Sequence, residues 1–152
     1  MSAFADSRLG TAQAPAGESL RPSGTVISCA ATTPVECVLP ASPLAPKLAR
    51  LFLGRTACSD HCTDRGDPIL LVSELVTNAL LHGVPPIGLT VQCAGTRLIV
   101  GVTDAGQRPI ILPAEPTGAD APSGRGLFLL QALAGDWGIR THARGTTVWF
   151  SV

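Results

Sequence analysis

Charge is scarce in this 152-residue chain. Only 14% of residues are Asp, Glu, Lys or Arg, and eleven basic side chains balance eleven acidic ones. With a formal charge of zero, no whole-molecule field draws the chain to nucleic acid or to a membrane surface. Neither is expected as a direct partner. Lysine is nearly missing, with Lys47 alone beside ten arginines, and tyrosine is absent. No apolar run reaches the roughly eighteen residues that a membrane-spanning helix needs. Residues 1–17 lack the cationic and apolar regions of a secretory signal, so export is not expected. The five cysteines (Cys29, Cys37, Cys58, Cys62 and Cys93) are odd in number and scattered. That fits a reducing, cytoplasmic setting better than a disulfide framework.

What is present is one domain's worth of chain, 45% hydrophobic, enough for a single core. Residues 1–34 read mainly as a mobile, disordered leader rich in Ala, Ser, Gly and Pro. Thr25–Ala31 within it is either a short strand or part of the leader. The domain itself is expected over 35–152. Val35–Leu39, closed by Pro40, reads as an edge strand. Leu44–Ala57 reads as a helix whose apolar stripe is Leu44, Leu48, Leu51 and Phe52. A second helix runs from Pro68 to His82, with Asp67 as its N-cap and Gly83 as its stop. Strands follow at Ile87–Cys93 and Arg97–Thr103, joined by the hairpin-like Ala94-Gly95-Thr96.

Residues 104–124 are crowded with Gly and Pro and read as a long loop, of a length that is usually functional or disordered. A third helix spans Gly126–Ala134, and Gly138–Ala143 and Thr146–Val152 form a closing hairpin. This order predicts an α/β (α+β) two-layer sandwich: a mixed, mainly antiparallel sheet with helices on one face.

Three clusters could carry chemistry. In Ser73–Gly83 (SELVTNALLHG), Glu74, Asn78 and His82 stand at i, i+4 and i+8 and share one helix face. An amide oxygen is a hard ligand suited to Mg²⁺, and a carboxylate one turn away can take a proton from a hydroxyl or water. The same spacing equally suits a solvated face. In Thr103–Gly106 (TDAG), a carboxylate at a strand end is followed by a glycine that lets a planar group approach the backbone; a common Asp-containing turn looks the same. In Gly124–Leu127 (GRGL), two glycines open a helix whose N-terminus favours phosphate, or else form a plain flexible linker. Rossmann and Walker fingerprints are absent. Cys58, His61 and Cys62 lie close together but lack a second ligand pair, which favours incidental use over zinc. His142 reads as a surface residue, and Trp137 and Trp149 as packing residues.

Taken in order, the three clusters resemble the Bergerat-type (GHKL) ATPases, which include gyrase and the histidine kinases. ELVTNALLHG looks like the N-box, TDAG the first glycine box and GRGL the second; Gly145–Val148 resembles the strand closing that pocket. LLVSELVTNALLHG and the ending TTVWFSV look most like the small anti-sigma-factor serine kinases. The resemblance implies the Bergerat fold and ATP with Mg²⁺ as cofactors. Asn78 would hold Mg²⁺, Glu74 would be the catalytic base and Asp104 would bind the adenine amino group beside Gly106. Gly124 and Gly126 would line the phosphates, and Thr146 would help hold the adenine end. It further implies a protein-serine kinase acting on an anti-anti-sigma-type partner, the alternative being an ATP-binding module that sequesters a sigma factor or another regulator. The family often dimerises through the helix before the N-box, which leaves a homodimer open. The histidine kinases' phenylalanine box and phosphoacceptor helix are not recognisable, which argues against autophosphorylation on histidine.

Overall fold

The computed structural model describes residues 33–57, 67–107 and 125–152. Residues 1–32 of the expected leader, the Cys58–Cys62 cluster, Gly124 and most of the expected long loop lie outside the described residues. The elements run in the order β1 (Val35–Leu39), α1 (Ala45–Thr56), α2 (Asp67–His82), β2 (Ile87–Ala94), β3 (Arg97–Asp104), α3 (Arg125–Leu133), β4 (Asp136–His142) and β5 (Gly145–Ser151).

The strands form one sheet ordered β1-β2-β3-β5-β4, and every neighbouring pair is antiparallel. The expectation of a two-layer sandwich holds. The mainly antiparallel sheet holds as well: among the described strands every pairing is antiparallel, and hairpins link β2 to β3 and β4 to β5. Gly95 closes the first of these turns with φ +62, a left-handed conformation that costs glycine little.

Alternation along the strands decides which face the helices cover. Ile87, Leu89, Val91 and Cys93 of β2 are buried, while the residues between them are only partly so. Leu98, Val100 and Val102 of β3 and Phe150 of β5 continue the same face. Against it pack Ala45, Ala49 and Leu53 of α1, Leu71, Val72, Leu75 and Val76 of α2, and Leu130 of α3. Each large aliphatic side chain so buried contributes about 1.5–3 kcal/mol.

One expectation fails on α1. The stripe Leu44, Leu48 and Leu51 does not face the core; these residues are 61%, 39% and 49% exposed, while Ala45, Ala49 and Leu53 are fully buried. Phe52 alone of the expected stripe packs against the core. Alanines at the contact let helices approach closely, since interaxial distance follows side-chain size. A stripe of small residues one position away is outweighed by leucines when only hydrophobic spacing is counted. Asp67, expected as the cap of α2, is instead its first residue, where a carboxylate still favours the helix dipole. Among the described residues no helix is long and apolar enough to cross a membrane.

Candidate functional site

The site is assembled where α2, the end of β3, the start of α3 and the start of β5 meet. On α2, Glu74 and Asn78 are half-buried and His82 is exposed. Neighbouring Leu75 and Val76 drive the opposite side of the helix into the core. Glu74 and Asn78 therefore sit at the rim of the apolar contact. The start of α3 comes up against them. A Cβ at Gly126 would press on the Asn78 amide nitrogen, the movable end of that side chain, and make ordinary contact with Glu74 Cβ at 3.7 Å. The start of α3 thus lies directly beside these two polar groups.

At the other end, Asp104 terminates β3 and its carboxylate is tied down on one side. Asp104 Oδ1 accepts the Gly106 N–H at 2.8 Å and the Val84 N–H at 3.1 Å. The backbone adds a second link there, with the Ala105 N–H donating to the Val84 carbonyl at 2.7 Å. Thr146 is buried, and its hydroxyl donates to the Gly106 carbonyl at 2.8 Å. Gly145 has φ +134, a region L side chains rarely adopt. A Cβ there would also overlap the Asp104 carbonyl and lie 2.8 Å from Ala105 Cα. Asp104, Gly106 and Thr146, expected to act together, are thus brought together. Glu74, Asn78 and Gly126 form the other group. Gly124 lies outside the described residues.

Two contacts, one at this site and one on the other face of the sheet, differ from the sequence reading. Gly83 reads in the sequence as a helix stop, yet its φ is not among the positive values. Its smallness serves proximity, because a Cβ would lie 2.8 Å from both Cβ and Cγ of Asp104. Only the pairing of β3 with α2's exit reveals this, and no local pattern encodes it. His142 is half-buried rather than on the surface. Its Nδ1 accepts the Arg144 N–H at 3.2 Å, and its Nε2 lies 2.9 Å from the Thr147 hydroxyl, which lies 2.6 Å from that of Thr103. Trp137 packs against the core, and the Trp149 indole lies across Gly138, whose added Cβ would stand 2.9 Å from Nε1. Both tryptophans are packing residues, as expected.

A broad depression lies on the sheet face away from the helices, lined by Thr90, Thr103, Thr147 and Trp149. None of Glu74, Asn78, Asp104, Gly106, Gly126 or Thr146 lines it, so the polar groups above converge elsewhere. Among the described residues no cluster of three His, Cys, Asp or Glu could hold a metal by itself.

Residues 41–152 match the family model described as the histidine kinase-like ATPase domain. The chain belongs to this family. Membership of this family implies ATP binding. Among solved structures thirteen chains match. One is a crystal structure of the RsbU and RsbW domains of Rv1364c from Mycobacterium tuberculosis, at TM-score 0.54 and 24% identity over 79% of this chain. The matched region spans 32% of that longer chain, and the likeness is one of fold. No curated protein matches this histidine kinase-like ATPase domain chain.

Proposed function

We propose that this chain is a Mg²⁺-ATP-dependent regulatory protein kinase of the anti-sigma type, which passes the γ-phosphate to a serine of an anti-anti-sigma-type partner. The observation that carries the reading is the meeting of Gly126 with Asn78 and Glu74. It sets a helix start, where backbone N–H groups favour phosphate, beside an amide and a carboxylate one turn apart. Neither side chain makes a hydrogen bond to another described residue.

The residues fit the group. Asn78 would offer its amide oxygen to Mg²⁺, Gly124 and Gly126 would admit the phosphates, and Asp104, Gly106 and Thr146 would hold the adenine end. The metal, when bound, neutralises charge on the phosphate oxygens. Phosphoryl transfer asks the protein mostly for positioning and a base. Glu74 would take the proton from the incoming serine hydroxyl as its oxygen bonds to the γ-phosphorus. The bond from that phosphorus to the bridging oxygen breaks, and ADP leaves. The exposed Leu44, Leu48 and Leu51 on α1 supply an apolar surface suited to a protein partner, a sigma factor included.

The test is calorimetric titration with ATP, with and without a Mg²⁺ chelator. It is followed by incubation of labelled ATP with a partner captured from the native host. Binding that weakens on chelation, and label appearing on a partner serine, are expected. Absence of binding at millimolar nucleotide overturns the reading of the site. Binding of both ATP and partner without transfer replaces the kinase with a non-catalytic module that sequesters a regulator.

A further inference from the structure

Gly83 occupies an unusual place for a residue just past a helix. Its N–H closes α2 on the Ala79 carbonyl at 2.9 Å. A Cβ there would lie 2.5 Å from that same carbonyl and 2.8 Å from Asp104 Cβ and Cγ, separations that real Cβ atoms do not show. Its backbone conformation is open to other residues, since only Gly95 and Gly145 have positive φ among the described glycines. Space alone demands glycine at 83.

The residue beside it completes the arrangement. Val84 donates its N–H to Asp104 Oδ1 and accepts the Ala105 N–H on its carbonyl. With the Gly106 N–H also on Oδ1, that oxygen carries two bonds. Among the described residues, Oδ2 makes none. The carboxylate is therefore held in one orientation, with a single oxygen left to accept.

We propose that Gly83 is a positioning residue that sets purine selectivity by letting Asp104 seat against the end of α2, so that only Oδ2 faces the base. This rests on the nucleotide reading above. A fixed lone acceptor rewards the 6-amino group of adenine, which donates. It rejects guanine, which presents a carbonyl oxygen at the same place, because two acceptors facing each other leave both unpaired. A side chain at 83 pushes the carboxylate off the Val84 N–H, and a carboxylate free to turn no longer discriminates. Gly83 acts through Asp104 and touches no ligand itself.

The experiment compares ATP, GTP and purine riboside triphosphate, which lacks the 6-amino group, by titration against the full chain and its Gly83→Ala variant. A hydrogen bond to a charged group corresponds to about 10- to 150-fold in affinity, and the wild type should prefer ATP over the amino-free nucleotide by that factor. In Gly83→Ala the preference should fall to within about twofold, the usual margin of additivity. Affinity for the amino-free nucleotide should persist. Asp104→Ala should show the same loss, and the double variant no more than either.

A Gly83→Ala protein that keeps the wild-type preference overturns the proposal, as does one that loses all three nucleotides equally. A wild type that binds none of the three instead removes the nucleotide reading beneath it. A second measurement stands on the wild type alone, should Gly83→Ala not fold. The Val84 and Gly106 amides should be protected from hydrogen exchange without nucleotide, and free exchange at both would show that the carboxylate is not set in advance.

Discussion

The two ends of the site are built on opposite plans. At the Asp104 end, four hydrogen bonds and two close glycine approaches join Gly83, Val84, Asp104, Ala105, Gly106, Gly145 and Thr146. At the Glu74 end, the side chains of Glu74 and Asn78 bond to no other described residue, and what defines the place is the start of α3 beside them. The first is a preorganised acceptor, whose geometry is settled before any ligand arrives. The second is a pair of polar groups with no bond to another described residue. On the proposed function the contrast separates recognition from chemistry: damage to the first should be felt in stability and base selectivity, and damage to the second in transfer.

The sharpest break in that contrast is Glu74→Ala. Loss of a general base typically lowers a rate by about 10² to 10⁴, while ATP affinity should stay near wild type because Glu74 sits apart from the Asp104 end. Quenched-flow or filter measurement of phosphate on the partner, beside calorimetry, reads both. Transfer at the wild-type rate would take Glu74 out of the mechanism.

Next in size is a pair on α1 that asks whether the core or the exposed stripe carries stability. Leu53→Ala, at a fully buried position, should lower unfolding free energy by about 2–5 kcal/mol. Leu48→Ala, on the exposed stripe, should change it by no more than about 0.5 kcal/mol. Urea titration of both variants decides it, and equal losses would mean that the helix is turned the other way.

Smallest is Thr146→Val, which keeps the shape and removes the donor to the Gly106 carbonyl. Leaving that acceptor unpaired should cost about 1–3 kcal/mol in stability and weaken ATP binding without altering the ratio of transfer to binding. A change in the transfer step alone would show that the two ends are less separate than their bonding suggests.

Much of this plan is visible in the residues. The alternation of Ile87, Leu89, Val91 and Cys93 carries the face of the sheet, because a half-covered strand must repeat every second residue. The spacing of Glu74 and Asn78 carries their shared face for the same kind of reason. Asp104 and Gly106 announce a turn. Other features are not visible because they depend on what lies opposite. Ala45 and Ala49 become the packing face of α1 only once α2 and the sheet are in place. Gly83 looks like an ordinary helix stop until β3 brings Asp104 against it. Gly145 needs Asp104 and Ala105 as neighbours before its smallness has a reason.

Thr146 and Gly106 are 40 residues apart in the chain, and Val84 and Asp104 are 20 apart. An end of the site stitched from such distant segments does not exist in any fragment or in the unfolded ensemble. It appears only when β5 has paired with β3. On the proposed reading of this end as the adenine site, ATP would bind the native state almost exclusively, and by mass action it would raise the unfolding free energy by RT ln(1 + [L]/Kd), about 2.7 kcal/mol at a hundredfold excess over Kd. A nucleotide bound there would add to the domain's stability about as much as one of its buried leucines.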